Sequence, residues 1–423
     1  MKSTYTRDVN PAMIAKCKDE NVFGKFIDFV KIAEDLAVCF RGNDSDMGTV
    51  TIYRHNHMMW QLKIDSGSPV IGISVNHCRF MSDWDTYAIK GLMDLGFTPA
   101  KKGYENYNYE MLKREKALAF HNGKNNYNAI PLEYRIGDET TPEMIQQLIE
   151  KSYVILCRMQ NEYFEPLKAN MVKVKYKKHE KNQPINFIKA YCEGIDCVER
   201  KTYVDNEQVL KIYANPQSCT EKRVQQEIFT MNHKLKDGLF VYDLEFAQPQ
   251  KIGVKLGESN KPDMFAVRFD AKGNMRVISL VEVKSTETAF IGTSGAKKHM
   301  KGMLEYINYK TEEGLLIDDR KKEACRILNQ YRELGLYGLS EDIPQFEEAD
   351  FLKLEIEIIF VFSHGFTLET KISKKQKVEE MISEAIAEQV NYKVIMSENY
   401  SGKITYGDES RCVSAYRYSI SKK

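Results

Sequence analysis

The sequence predicts an α/β protein whose C-terminal half runs α-β-β-β-α-β, preceded by an α+β region, and three patterns carry that reading. From Thr49 to Ile64 the residues Val50, Ile52, Met58, Trp60, Leu62 and Ile64 share one parity and Thr51, Tyr53, His55, His57, Gln61 and Lys63 the other. That alternation is the signature of half-buried antiparallel strands. Further on, Thr220–Lys236 spaces Val224, Ile228, Met231 and Leu235 along one helical face. Strand candidates then follow at Leu239–Gln248, Met264–Asp270, Met275–Ser285 and Leu352–His364, with helices at Gly295–Tyr309, Asp319–Leu334 and Lys374–Val390.

A chain of 423 residues exceeds one ordinary domain, so two compact units are expected. The first, residues 1–165, opens with a helix over Pro11–Leu36. It continues with strands at Leu36–Arg41, Thr49–Ile64 and Pro69–Asn76, a helix at Trp84–Leu95, a Gly-, Asn- and Pro-rich boundary between His121 and Pro142, and a helix from Pro142 to Phe164. Residues 166–215 form a basic, strand-rich connector, and 216–423 the second unit. No internal repeat is evident.

Composition removes several function classes. With 43% hydrophobic and 29% charged residues and 11 prolines, the chain is folded rather than disordered. Met1–Glu20 has no apolar stretch, so no secretory leader is expected there and a cytoplasmic location is. Apolar runs such as Ile358–Phe362 fall far short of the ~20 residues a membrane span needs, so no membrane partner is expected. Nine cysteines without paired spacings fit reduced thiols. The net charge of +1 means that any nucleic-acid surface must be a local patch. Two basic runs qualify by composition: Lys168, Lys173, Lys175, Lys177, Lys178 and Lys181, and Lys371, Lys374, Lys375 and Lys377. Such runs are also ordinary solvated faces.

The chemistry concentrates between Pro262 and Lys284. Ala271-Lys272-Gly273-Asn274 reads as a hairpin connection, since Gly and Asn tolerate positive φ. If Asp270 pairs with Met275, counting outward sets Asp263 opposite Glu282, with Cβ atoms ~5 Å apart on one face. Lys284 falls on the face of Glu282. Two hard carboxylates suit Mg²⁺, and a lysine beside them can orient water and share charge on a phosphate. Acids and a lysine ending a strand of Val277, Ile278, Leu280, Val281 and Val283 cost stability unless paired or metal-bound.

Pro262-Asp263, an 18-residue gap and Glu282-Val283-Lys284 together resemble the PD-(D/E)XK nuclease superfamily, which includes restriction endonucleases and Holliday-junction resolvases. The resemblance covers roughly residues 216–365. It implies a restriction-endonuclease-like core, a mixed sheet flanked by helices, and a metal-dependent endonuclease acting on DNA, with Mg²⁺ as cofactor and Mn²⁺ able to substitute. Asp263, Glu282, the Val283 backbone carbonyl and an acid from the preceding helix would hold the metal. Glu221 is chosen for that acid because it shares the face of Val224 and Ile228; Glu227 is the alternative. Ser285 would lie near the scissile phosphate. Lys297, Lys298 and His299 would contact nucleic acid, a spacing that equally fits surface charge beside Met300, Met303, Leu304 and Ile307. By family analogy the role would be restriction or phage defence, with a homodimer or a partner protein of a defence system. The reading from another class is a non-catalytic nucleic-acid-binding or scaffold protein that keeps the fold.

Other strings carry less. His55 and His57 lack two further zinc ligands at a recognisable spacing, and Cys192 and Cys197 lack a second pair. Gly292-Thr293-Ser294-Gly295 lacks the lysine of a P-loop and reads as a lid.

Overall fold

The computed structural model describes residues 5–33, 36–43, 47–54, 57–73, 90–100, 111, 132–169, 224–226, 228–233, 235–236, 238–244, 262–284, 295–311, 314–363 and 391–397. It is a mixed α/β protein that divides into two compact units. Met1–Lys18 and Val30–Asn56 join Thr220–Lys423, while Asp19–Phe29 and His57–Cys219 form the other unit. The cause is pairing between segments far apart in sequence, which local patterns do not report.

The first unit contains a five-stranded mixed sheet of β8 (Gly238–Leu244), β9 (Met264–Phe269), β10 (Met275–Lys284), β13 (Glu355–Ser363) and β14 (Asn391–Ser397), in the order β14-β13-β10-β9-β8. β8, β9 and β10 run antiparallel, and β13 lies parallel to both β10 and β14. Helical residues 224–226 and 228–231 precede the sheet. Between β10 and β13 come α4 (Ala296–Ile307), the antiparallel pair β11 (Lys310–Thr311) and β12 (Gly314–Leu315), α5 (Leu316–Leu334) and α6 (Glu348–Leu352). Strand parity sorts the sheet into two faces. Val281, Val283, Ile359, Val361, Met264, Ala266 and Val241 pack with Val224, Ile228 and Phe229. Met231, expected on the inward stripe, is 51% exposed. Phe265, on the opposite face, meets Tyr306 of α4 with centroids 6.2 Å apart, so α4 covers the face that carries Glu282 and Lys284.

The N-terminal segments enter this unit through β1 (Tyr5–Thr6), α1 (Pro11–Lys18), β2 (Leu36–Asn43) and β3 (Thr49–Arg54). β1 and β3 both pair antiparallel with β2. A single helix over Pro11–Leu36 does not form: α1 ends at Lys18, and Leu36 already begins β2. Gly42 is required by close approach, because a Cβ there would lie 1.8 Å from the Asp8 carbonyl oxygen. A register shift between Val241 and Asp243 marks a bulge of the kind that re-aims a side chain. Asp243 is there held by two arginines, Arg7 Nε at 3.1 Å from Oδ2 and Arg41 Nη1 at 3.0 Å from Oδ1. The Arg7 amide donates to Glu323 of α5, whose other oxygen is 2.6 Å from Arg320. Tyr331 of α5 donates its hydroxyl to the Val38 and Tyr242 carbonyls at 2.7 and 3.0 Å. His233 stacks on Tyr337 with centroids 4.0 Å apart, and burial pushes its imidazole down to about 3.

The second unit is built on β4 (His57–Asp65), β5 (Ser68–Ile73), β6 (Thr98–Pro99) and β7 (Leu132–Arg135), paired antiparallel in the order β4-β5-β7-β6. Ser66 and Gly67, both at positive φ (52° and 83°), make the two-residue turn whose twist suits a tight hairpin. Trp60 is fully buried: Phe26 of α2 (Gly24–Ile32) meets it edge-on at 5.4 Å, and its indole N–H donates to Ser152 of α3 (Pro142–Ala169) at 3.0 Å. Pro142 begins α3 after Thr141, whose side chain accepts from the Met144 amide at 3.3 Å, the arrangement expected of an N-cap followed by proline. Met59 and Thr51 are as buried as their apolar neighbours, so the alternation over Thr49–Ile64 does not leave one parity exposed. Apart from Lys168, which falls in the last turn of α3, both basic runs lie outside the described residues. Among the described residues, no helix is long and apolar enough to cross a membrane.

Candidate active site

The β9–β10 hairpin sets the site. Its turn is tighter than the four-residue connection expected. The Gly273 amide donates to the Asp270 carbonyl and the Asp270 amide to the Asn274 carbonyl, both at 2.9 Å, leaving a three-residue loop closed by Gly273 at φ 82°. Asp270 Oδ1 accepts from the Lys272 and Asn274 amides at 2.9 and 2.8 Å, and these bonds, with Arg276 alongside, hold its carboxyl well below the usual range. Met275 therefore pairs with Phe269, not Asp270, and a bulge between Met275 and Val277 shifts the ladder by one residue. From Ile278↔Val267 to Val281↔Met264 the pairing is the one that, continued outward by one residue, sets Asp263 opposite Glu282. Two displacements, one in the turn and one at the bulge, cancel before the carboxylates are reached.

At that end of the hairpin the Val283 amide donates to Asp263 Oδ2 at 2.8 Å. Glu282 is 1% exposed and Lys284 6%. The Lys284 ammonium bonds to Glu282 Oε1, and His299 Nδ1 lies 2.8 Å from the same oxygen. The His299 contact is close in distance but is not aligned as a hydrogen bond, so Nδ1 has no hydrogen-bond partner among the described residues. Glu282 Oε2 has none either. A buried carboxylate oxygen without a donor is costly, and a bound cation at that oxygen removes the cost. No three His, Cys, Asp or Glu side chains converge as a ready metal cage among the described residues; Glu282 and His299 are the converging pair.

The other expected site residues are placed unevenly. Glu221, its alternative Glu227 and Ser285 lie outside the described residues, and Lys297 is described only by its place in α4. Lys298 is exposed, while His299 is turned inward to Glu282 rather than to solvent. A helical signal for this exists: His299, Met303 and Tyr306 recur at i, i+4 and i+7, and the last two are fully buried. α4 begins at Gly295 with neither a side-chain cap nor an acid in its first turn, leaving that end of the helix electropositive.

A separate cleft of about 840 Å³ opens at the turn end of the hairpin, lined by Arg268, Asp270, Arg276, Asp350 and Lys353 among others. Its charges pair with one another or nearby, Arg276 with Asp270 at 2.7 Å, Lys353 with Asp350 at 2.9 Å and Arg268 with Glu357 at 3.2 Å. The cleft carries paired charges, whereas at the far end of the hairpin Glu282 Oε2 and His299 Nδ1 are buried without hydrogen-bond partners among the described residues. In comparisons with known proteins the chain matches no family model, no curated protein and no solved structure.

Proposed function

We propose that Asp263, Glu282 and Lys284 form the site of a metal-dependent endonuclease of the PD-(D/E)XK type that hydrolyses phosphodiester bonds, with DNA as the substrate. The observation that carries this reading is Glu282: a carboxylate 1% exposed, with Lys284 on one oxygen and no hydrogen-bond partner on the other, in the register that faces Asp263. The order of helix, three antiparallel strands, helices and a parallel strand supports it as well, being the order the resemblance implies for a restriction-endonuclease-like core.

Glu282 would hold the divalent cation through Oε2, with Asp263 from the neighbouring strand and the Val283 carbonyl beside it. When bound, Mg²⁺ or Mn²⁺ supplies Lewis-acid activation of water and neutralises charge on the phosphate. Lys284, fixed against Glu282, would orient the attacking water and share the charge growing on the phosphoryl oxygens. The uncapped start of α4 offers backbone N–H groups on the same side of the sheet. A role in restriction or phage defence follows from family analogy, with the unit built on β4–β7 as the part that recognises a target or controls the nuclease.

The test is cleavage of duplex, single-stranded and branched DNA and of RNA with Mg²⁺ or Mn²⁺, comparing the full chain with Asp263→Ala and Lys284→Ala. Metal-dependent cutting by the wild type and its loss in both variants is expected. A wild type that cuts none of these substrates, or variants that cut as well as it does, would sink the proposal.

A further inference from the structure

We infer that His299 supplies a nitrogen ligand, Nδ1, at this site, so that the site takes a first-row transition cation, for which Mn²⁺ is the probe, in preference to Mg²⁺. The inference rests on the reading of Glu282 as a cation-holding carboxylate and adds the identity of the ion.

Glu282 and His299 approach to 2.8 Å at Oε1 and Nδ1, and each keeps a buried polar atom without a hydrogen-bond partner among the described residues, Oε2 of the carboxylate and Nδ1 of the ring. Had His299 served only to brace the carboxylate, its ring N–H would be aligned on Oε1. It is not, although Nδ1 lies 2.8 Å away, and Lys284 already bonds to that oxygen. A ring nitrogen about 3 Å from one oxygen of a carboxylate brings the two side chains close enough to donate to one octahedral ion at bonds of about 2.1 Å, the carboxylate through its other oxygen. A neutral imidazole nitrogen and a carboxylate oxygen side by side are a donor pair, not a repelling pair of acids. His299 is held in place by the helix: its amide donates to the Gly295 carbonyl at 3.2 Å, and Met300 and Met303 beside it are fully buried.

The donor set decides the preference. Mg²⁺ is served by oxygen ligands and water, whereas imidazole favours transition ions, whose affinities rise from Mn²⁺ through Fe²⁺, Co²⁺ and Ni²⁺. An all-oxygen site would leave this selectivity small.

The experiment uses the full chain and Mn²⁺ alone. Binding is followed by loss of the free-ion electron paramagnetic resonance signal, and the ligands by electron spin-echo envelope modulation, which registers imidazole ¹⁴N coupled to bound Mn²⁺. The wild type is expected to bind Mn²⁺ with a ¹⁴N modulation. His299→Gln, its fold checked by circular dichroism, should lose the modulation and about ten-fold or more in Mn²⁺ affinity, with a smaller change for Mg²⁺ measured by competition. Mn²⁺ bound by the wild type without ¹⁴N modulation, or a modulation that survives in His299→Gln, overturns this inference and leaves the phosphodiesterase reading standing. No Mn²⁺ binding at all overturns both. If His299→Gln does not fold, the wild-type spectrum still decides whether any imidazole is a ligand, and His299→Asn then assigns it.

Discussion

Two buried ionic clusters in the same unit meet opposite fates. At Asp243 each carboxylate oxygen faces an arginine: Oδ1 accepts from Arg41 Nη1 at 3.0 Å, and Oδ2 lies 3.1 Å from Arg7 Nε in a charge contact that is not aligned as a hydrogen bond. At Glu282 one oxygen takes Lys284 and the approach of His299, and the other takes nothing among the described residues. Burial is nearly equal, 2% exposure for Asp243 and 1% for Glu282. Depth therefore does not separate the two clusters, and neither does hydrogen-bond alignment, since one oxygen of each carboxylate lacks an aligned donor; the difference is an arginine within 3.1 Å of each Asp243 oxygen. A buried carboxylate with an opposing charge at each oxygen locks segments together, and one with charge at a single oxygen keeps electrostatic capacity that a ligand can satisfy.

The contrast can be broken at either cluster. The largest effect is expected from Asp243→Ala, which strands two arginines and should cost about 3–5 kcal/mol of unfolding free energy in a denaturant titration. Little loss there would mean that the arginines find water and that the cluster is not a lock. Lys284→Ala should lower metal-dependent cleavage by about 10²–10³-fold, some 2.7–4 kcal/mol of barrier, while Arg41→Lys leaves turnover per folded molecule unchanged. Replacing both charges at the second cluster, Glu282→Leu with Lys284→Met, should abolish cleavage yet raise stability by roughly 1–3 kcal/mol, because a hydrophobic pair replaces an imperfectly paired buried ion pair. A loss of stability in that double variant would show that these charges hold the fold.

His233 is a control outside both clusters. Its folded imidazole stays neutral down to about 3, whereas the unfolded chain takes up a proton near 6.5. The unfolded state thus binds more protons between those values. The contribution of His233 is complete above about pH 6.5 and falls as the solution is acidified, by about 2 kcal/mol at pH 5. His233→Phe should flatten that slope in thermal melts at pH 5 and 8. The smallest effect belongs to Arg276→Ala, whose 2.7 Å pair with Asp270 is formed by a side chain 56% exposed. It should change stability by less than about 0.5 kcal/mol.

How much of this could be read from residues alone varies by element. The strand run from Val277 to Val283 was plain because its apolar density admits little else, and the Asp263–Glu282 register came from counting. At the turn the count is one residue off, because Asp270 and Gly273 close a shorter loop than the run Ala271–Asn274 suggests. Strand alternation was unaffected at the site because the bulge restored it. His299 was noticed for its chemistry, but its direction depends on the phase of α4 against β10, which no local pattern reports. The grouping of segments was the least visible. Arg7 finds Glu323 across 316 residues, and nothing in the composition of Thr6-Arg7-Asp8 announces that partner.

That last separation bears on how the protein is made. Arg7 leaves the ribosome early, and its partner on α5 is synthesised 316 residues later, roughly 16–63 s at ~5–20 residues per second. Throughout that interval the Arg7 amide lacks its α5 acceptor, whereas its guanidinium can meet Asp243, which is made earlier. A ribosome that stalls before α5 releases a product in which the sheet bearing Glu282 still lacks its parallel neighbour β13. On the nuclease reading, such a fragment would carry Asp263, Glu282 and Lys284 on a hairpin without β13 beside β10, and is expected to lack the cleavage activity of the full chain.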